Sequence, residues 1–140
     1  MKRLFILLAL LTSSLFTFAQ TNRNKVNLSD KELVNFLWGF AQAHPDGFTI
    51  GIDTFDQPRE GIVVSYAATQ NSFDKKSLPA VIKHAREHEG FVGGWYNPEN
   101  KKYYFDSNRI FPEDSLAAAV KFARENGQHT VYICSKDINV

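Results

Sequence analysis

His84-Ala85-Arg86-Glu87-His88 is the segment whose residue types and spacing come nearest to a known chemistry. Histidines four apart share one face of a helix and can both reach one metal ion, and the order H-x-x-E-H is that of the inverted zinc peptidases. A catalytic zinc also needs a third protein ligand. Glu113 and Glu125 are available, but nothing in the spacing selects either, and the inverted zinc peptidases are far larger than 140 residues. Projected on a helix, Glu87 lies nearly opposite the Leu78/Ile82/Ala85 stripe, with both histidines on its flank. That is equally the pattern of surface histidines, so His84 and His88 are metal candidates beside a simple structural alternative.

Two other segments offer recognition chemistry. Thr69-Gln70-Asn71-Ser72 presents four uncharged hydrogen-bonding side chains in a row, suited to a polar ligand or to an Asx or Ser/Thr turn leading into a helix. Phe91-Val92-Gly93-Gly94-Trp95-Tyr96 and Tyr103-Tyr104-Phe105-Asp106-Ser107 form the densest aromatic region. Paired glycines weaken a strand and mark a bulge or a place where a backbone or ligand comes close. With Trp95 and Tyr104 they can floor a shallow groove, although cross-strand aromatic packing explains the same residues. Asp106 either belongs to that groove, caps a Ser107-Asn108-Arg109 turn, or pairs with Arg109. Ser72 lacks the G-x-S-x-G setting of a nucleophile elbow. Cys134, the single cysteine, sits in an apolar run and reads as a structural thiol, with no disulfide possible within the chain.

The elements that must position these residues follow from local signals. Ser29-Asp30-Lys31-Glu32 is a capping box, and Leu33, Phe36, Leu37, Phe40 and Ala41 continue it as one buried helical face, ended by His44-Pro45-Asp46-Gly47. Phe48–Ile52 and Ile62–Tyr66 alternate with period two and read as a hairpin. Ser77-Leu78-Pro79 opens a second helix with the stripe Leu78, Val81, Ile82 and Ala85 up to Gly90. Phe91–Tyr96 and Lys102–Asp106 form a hairpin around Asn97–Lys101. Pro112, Glu113 and Asp114 suit the first turn of a third helix with the stripe Leu116, Ala119, Val120 and Ala123, stopped at Asn126-Gly127. Thr130–Cys134 is a last strand. The order α-β-β-α-β-β-α-β describes one α+β domain over residues 29–140, with a mainly antiparallel sheet packed with helices.

Residues 1–19 are read separately. Lys2 and Arg3, an apolar run from Leu4 and the small residues at Thr17 and Ala19 have the layout of a secretory signal cleaved after Ala19. Residues 20–28 then form a flexible leader, and the product is expected in the periplasm or outside the cell, without a membrane anchor. Removing Lys2 and Arg3 from the 16 basic residues leaves one fewer than the 15 acidic ones. A near-neutral chain argues against nucleic acid, whose binders carry a basic excess on one face.

Three blocks together resemble a small uncharacterised domain recurring in bacterial proteins, including multidomain proteins of phages and mobile elements. They are Tyr66-Ala67-Ala68-Thr69-Gln70-Asn71-Ser72-Phe73, Gly93-Gly94-Trp95-Tyr96 leading to Tyr103-Tyr104-Phe105-Asp106-Ser107, and Phe122-Ala123-Arg124-Glu125-Asn126-Gly127-Gln128, within a span of residues 48–138. The resemblance implies no established activity. Its pattern includes the Thr-Gln-Asn-Ser and Gly-Gly-Trp blocks and lacks the histidine pair. It favours a ligand groove of Thr69, Gln70, Asn71, Ser72, Gly93, Gly94, Trp95, Tyr104 and Asp106 over zinc. The expectation is an exported binding module for a small polar ligand or a protein partner, with no cofactor. The alternatives are a small enzyme acting on a nucleotide-like or peptide substrate, with Asp106, Gln70 and Asn71 as its polar residues, and a zinc hydrolase.

Overall fold

The computed structural model describes residues 26–140, so the signal-like segment and most of the leader lie outside the described residues. Helix α1 spans Asp30–Ala43. Its capping box forms as expected: the Ser29 hydroxyl accepts from the Glu32 N–H, and the Glu32 carboxylate accepts from the Ser29 N–H at 2.9 Å. Leu33, Leu37 and Ala41 are buried on its inner face, and Phe36 and Phe40 pack at its margin.

The strands are β1 (Phe48–Gly51), β2 (Ile62–Ser65), β3 (Ser72–Phe73), β4 (Phe91–Asn97), β5 (Lys102–Phe111), β6 (Tyr132–Ile133) and β7 (Ile138–Asn139). They form one antiparallel sheet in the order β1-β4-β5-β2-β6-β7, with β3 on β5. β1 and β2 therefore do not make the expected hairpin. β1 pairs with β4, Phe48 opposite Gly94, and β2 pairs with β5, Ile62 opposite Phe111. The physical reason is the glycine pair. A Cβ on Gly94 would stand 2.8 Å from both the Phe48 and Phe105 rings, so the missing side chain is the space that admits Phe48 beside β4. The pairing across Gly93 and Gly94 stays regular, so the glycines mark a close approach and no bulge.

Helix α2 spans Asp74–Arg86 and starts earlier than Ser77-Leu78-Pro79 suggests. Asp74 adopts φ 58°, its carboxylate accepts from the Tyr103 N–H at 3.0 Å, and its carbonyl accepts from the Ser77 hydroxyl at 2.9 Å. These bonds anchor an extra turn to β5. Pro79 is tolerated inside the helix because the carbonyl left without its donor, that of Lys75, belongs to an exposed residue. Leu78, Val81, Ile82 and Ala85 are buried as the stripe requires.

Helix α3 spans Leu116–Glu125 after a 3₁₀ turn at Glu113–Ser115. Ala119 and Ala123 are buried, but Leu116 is 39% exposed and is not part of the core. The contact runs through the two small alanines and through Phe122, which reaches Phe111 from the flank. The last strand is shorter than Thr130–Cys134: it ends at Ile133, and a 3₁₀ turn at Cys134–Lys136 with Asp137 at φ 51° returns the chain as β7.

Two apolar clusters lie on one face of the sheet. Leu33, Leu37, Ile50, Leu78, Ile82, Val92 and Phe105 join α1 and α2 to β1, β4 and β5, while Ile62, Val64, Phe111, Ala119 and Ile133 join α3 to β2, β5 and β6. Each fully buried large side chain of this kind contributes roughly 1.5–3 kcal/mol. Among the described residues no helix packs on the opposite face of the curled sheet.

Candidate binding trough on the open sheet face

Alternation along the strands decides which side chains reach the open face. On β5, Phe105 and Phe111 point into the helical cores, so Tyr104, Asp106 and Asn108 point the other way. Register then sets Trp95 beside Tyr104, Gly93 beside Asp106, and Ser65 beside Asn108. Thr49 from β1 and Val63 from β2 complete the floor of a trough of about 670 Å³. Its rim comes from Gln57 and Pro58 on one side and from Gln128, Thr130 and Tyr132 on the other. The volume lies in the range of small-molecule sites, roughly 300–1,000 Å³.

The floor is polar and ordered. The Ser65 hydroxyl donates to Asn108 Oδ1 at 3.0 Å, and Asn108 is buried. A Cβ on Gly93 would collide with the Asn108 amide nitrogen and stand 3.3 Å from the Phe48 carbonyl oxygen. The glycine thus lets the amide lie flat on the sheet. Asp106 stands beside this pair. Burial pushes its carboxyl up to about 6, against a smaller opposing effect of the Ser65 hydroxyl. Trp95 is 41% exposed and stacks on Tyr104, ring centroids 4.9 Å apart at 25°. Tyr104 in turn meets the Phe73 ring edge-on, and Lys102 lies 4.8 Å over that ring. An aromatic row with one exposed end therefore leads into the trough.

Of the nine groove residues expected from sequence, Gly93, Gly94, Trp95 and Asp106 line the trough, and Tyr104 supports Trp95 from behind. Thr69, Gln70, Asn71 and Ser72 do not line it. Thr69 is buried, and its hydroxyl oxygen accepts from the Ser107 N–H at 2.9 Å, in a gap on β5 between β2 and β3. Gln70 donates to the Asn126 carbonyl, the Asn126 side chain accepts from the Ala67 N–H at 2.9 Å, and Ser72 donates to the Thr69 carbonyl at 2.7 Å. Asn71 takes the left-handed turn at φ 60°. This segment is a brace between β5 and the end of α3, and it joins all three blocks of the family resemblance. Ser65, Thr49 and Asn108 were not picked out in the sequence. Only the period-two alternation of a strand continuing past Asp106 could have found Asn108.

Asp106 caps no turn and does not pair with Arg109. Residues 107–109 belong to β5, and alternation sends Arg109 to the helical face. There its guanidinium lies 3.5 Å from Glu89 and over the rings of Phe111 and Phe122. Glu89 also accepts from the Tyr66 hydroxyl at 2.7 and 2.9 Å. Burial, with help from Glu89, pushes Tyr66 up to about 12.

His84 and His88 lie against Tyr66, their rings parallel with centroids 3.9 Å apart. His88 Nδ1 is 2.7 Å from the His84 carbonyl, and His84 Nδ1 is buried without a partner. Burial, then the neighbouring His88, lower the His84 pKa. Among the described residues no group of three His, Cys, Asp or Glu is placed to hold a metal ion. Cys134 is half-buried at the trough wall, and burial raises its thiol pKa. Among the described residues no helix is long and apolar enough to cross a membrane.

Compared with protein-family models, with curated proteins and with solved structures, the chain has no match.

Proposed function

We propose that this chain is an exported binding module that holds a small polar ligand in the open-face trough. The observation that carries this reading is the set Ser65, Asp106 and Asn108 under the exposed Trp95. Polar groups withdrawn from water on a sheet face weaken the fold, and a carboxyl held up to about 6 is such a cost. The helical cores make no use of them. A few convergent polar groups beside an aromatic wall are what orients a bound small molecule. No histidine lines the trough, and the Ser65 hydroxyl is engaged with Asn108, so the residues do not form a nucleophile–base pair.

The enzyme reading keeps one supporting observation: a carboxyl near 6 is suited to general acid–base work. Its other polar candidates, Gln70 and Asn71, belong to the brace. A thermal-shift screen of the whole protein against sugars, amines, nucleotides and short peptides tests the binding reading, because a ligand selective for the folded state raises the melting temperature. A shift that disappears in Trp95→Ala and Ser65→Ala is the expected result. A shift that survives both substitutions, or none with any compound, overturns it.

A further inference from the structure

The trough has a one-sided charge. Asp46, Asp106 and Asp137 line it, and among the described residues no lysine, arginine or histidine does. Arg59, His129 and Lys136 adjoin lining residues in sequence without lining the trough themselves, and the two basic residues of β5 are engaged elsewhere. Arg109 is on the helical face with Glu89, and Lys102, farther along the open face, lies over Phe73. Asp137 is partly occupied, since its carboxylate accepts from the Tyr132 hydroxyl at 2.6 Å. The hydrogen-bonding neighbour of Asp106 is the Ser65 hydroxyl, which it shares with Asn108.

This distribution separates ligand classes. A phosphate or carboxylate ligand would enter a field of like charge, with no cation in the lining to offset it. A neutral polyol could bond to the floor but would leave the Asp106 charge uncompensated. A cation would relieve it, because a desolvated carboxylate gains most from a paired, hydrogen-bonding positive group. The aromatic wall adds a second preference of the same sign. Trp95 is 41% exposed, and indole is the best aromatic partner of an ammonium or guanidinium. Trp95 and Asp106 are diagonal neighbours across β4 and β5, roughly 7–8 Å apart at Cα, so one ligand can meet both.

Resting on the reading of the trough as a ligand site, we propose that it takes a small organic cation, its ammonium or guanidinium head bonded to Asp106 and its body against Trp95. Binding requires the Asp106 carboxylate. With that carboxyl at about 6 in the free protein, affinity falls about tenfold between pH 7.5 and pH 5, as protonation removes the charge. The other titratable groups facing the trough are Asp46, Asp137, Tyr132 and Cys134; Tyr132, held up to about 12, and Cys134, raised by burial, keep their protons across that range.

Calorimetric titration of the whole protein with agmatine and phenethylamine as cations, methyl β-glucoside as a neutral probe, AMP as an anion and an arginine tripeptide amide tests this. The expected result is that a small amine binds at pH 7.5 and weakens at pH 5. Its affinity drops at least tenfold in Asp106→Asn, an isosteric change that keeps the fold by circular dichroism, and about fivefold in Trp95→Ala. Binding of the glucoside or AMP with the same Trp95 dependence, and none of the amines, overturns the cation assignment while the trough remains a binding site. Amine binding indifferent to both substitutions overturns it as well. Binding of the peptide alone points to a protein partner and overturns the small-molecule assignment. No binding by any probe overturns both readings.

Discussion

Asp106→Asn should make the protein more stable at neutral pH, by an amount the structure allows to be worked out. The Asp106 carboxyl is raised from 3.8 to about 6, chiefly by burial. A raised carboxyl means that between these values the folded state binds more protons than the unfolded state, so this group's contribution to stability falls as pH rises and is fully adverse above pH 6. At about 1.4 kcal/mol for each pH unit the full gap is worth about 3 kcal/mol, and the trough's opening to solvent reduces it to about 2. Asparagine is neutral at every pH and keeps an oxygen for Ser65. The variant and the natural protein should therefore be equally stable near pH 4 and diverge to about 2 kcal/mol by pH 7.5, near 8 °C in melting temperature for a domain of this size. His84, whose pKa is lowered by burial and by His88, acts oppositely: its folded form resists protonation, so stability is lost as pH falls below 6.5. Taking the difference between the two proteins at each pH cancels that contribution. Urea unfolding from pH 4 to pH 8 gives the curve. A difference that is flat with pH, or an asparagine variant less stable at pH 7.5, would refute the reasoning that Asp106 is a desolvated, uncompensated carboxyl.

Other substitutions probe the remaining parts. Gly94→Ala must push apart the Phe48 and Phe105 rings, each 2.8 Å from the new Cβ, and should cost about 1–3 kcal/mol by chemical denaturation, separating β1 from β4. Gly93→Ala displaces the Asn108 amide, so ligand-induced thermal shifts should vanish with a smaller loss of stability. Thr69→Val keeps the shape but leaves the buried Ser107 N–H without its acceptor; a loss of about 1–3 kcal/mol in urea is expected, and an unchanged midpoint would mean that the brace is dispensable. Trp95→Ala, on a half-open ring, should lower stability by less than about 1.5 kcal/mol, and the remaining Trp38 fluorescence should still report two-state unfolding.

How far the chain could be read without its structure depended on how local each signal is. The capping box of α1 and the stripe of α2 involve residues within one or two turns, and both are found where the spacing places them. The β4–β5 hairpin is equally local, set by the turn formers Asn97–Lys101. The supposed pairing of β1 with β2 failed because alternation marks a strand but not its neighbour, and the vacancy that draws β1 to β4 lies more than forty residues away at Gly94. Asp106 was read as a groove residue, as a turn cap or as a partner of Arg109, and the last two fail because a strand five residues longer than expected turns Arg109 to the other face.

Composition, caps and periodicity were sufficient for the α+β class and for the aromatic and glycine-rich segment as a candidate site, because those properties live in short stretches of chain. Strand order, the face on which each polar residue emerges, and the internal use of Thr69 to Ser72 were decided by tertiary packing. A hydrogen-bonding side chain looks the same in sequence whether it meets a ligand, a solvent molecule or the end of a distant helix. The geometry of α3 against the Thr69 loop, and of β2 and β4 on either side of β5, is what separates the brace from the trough.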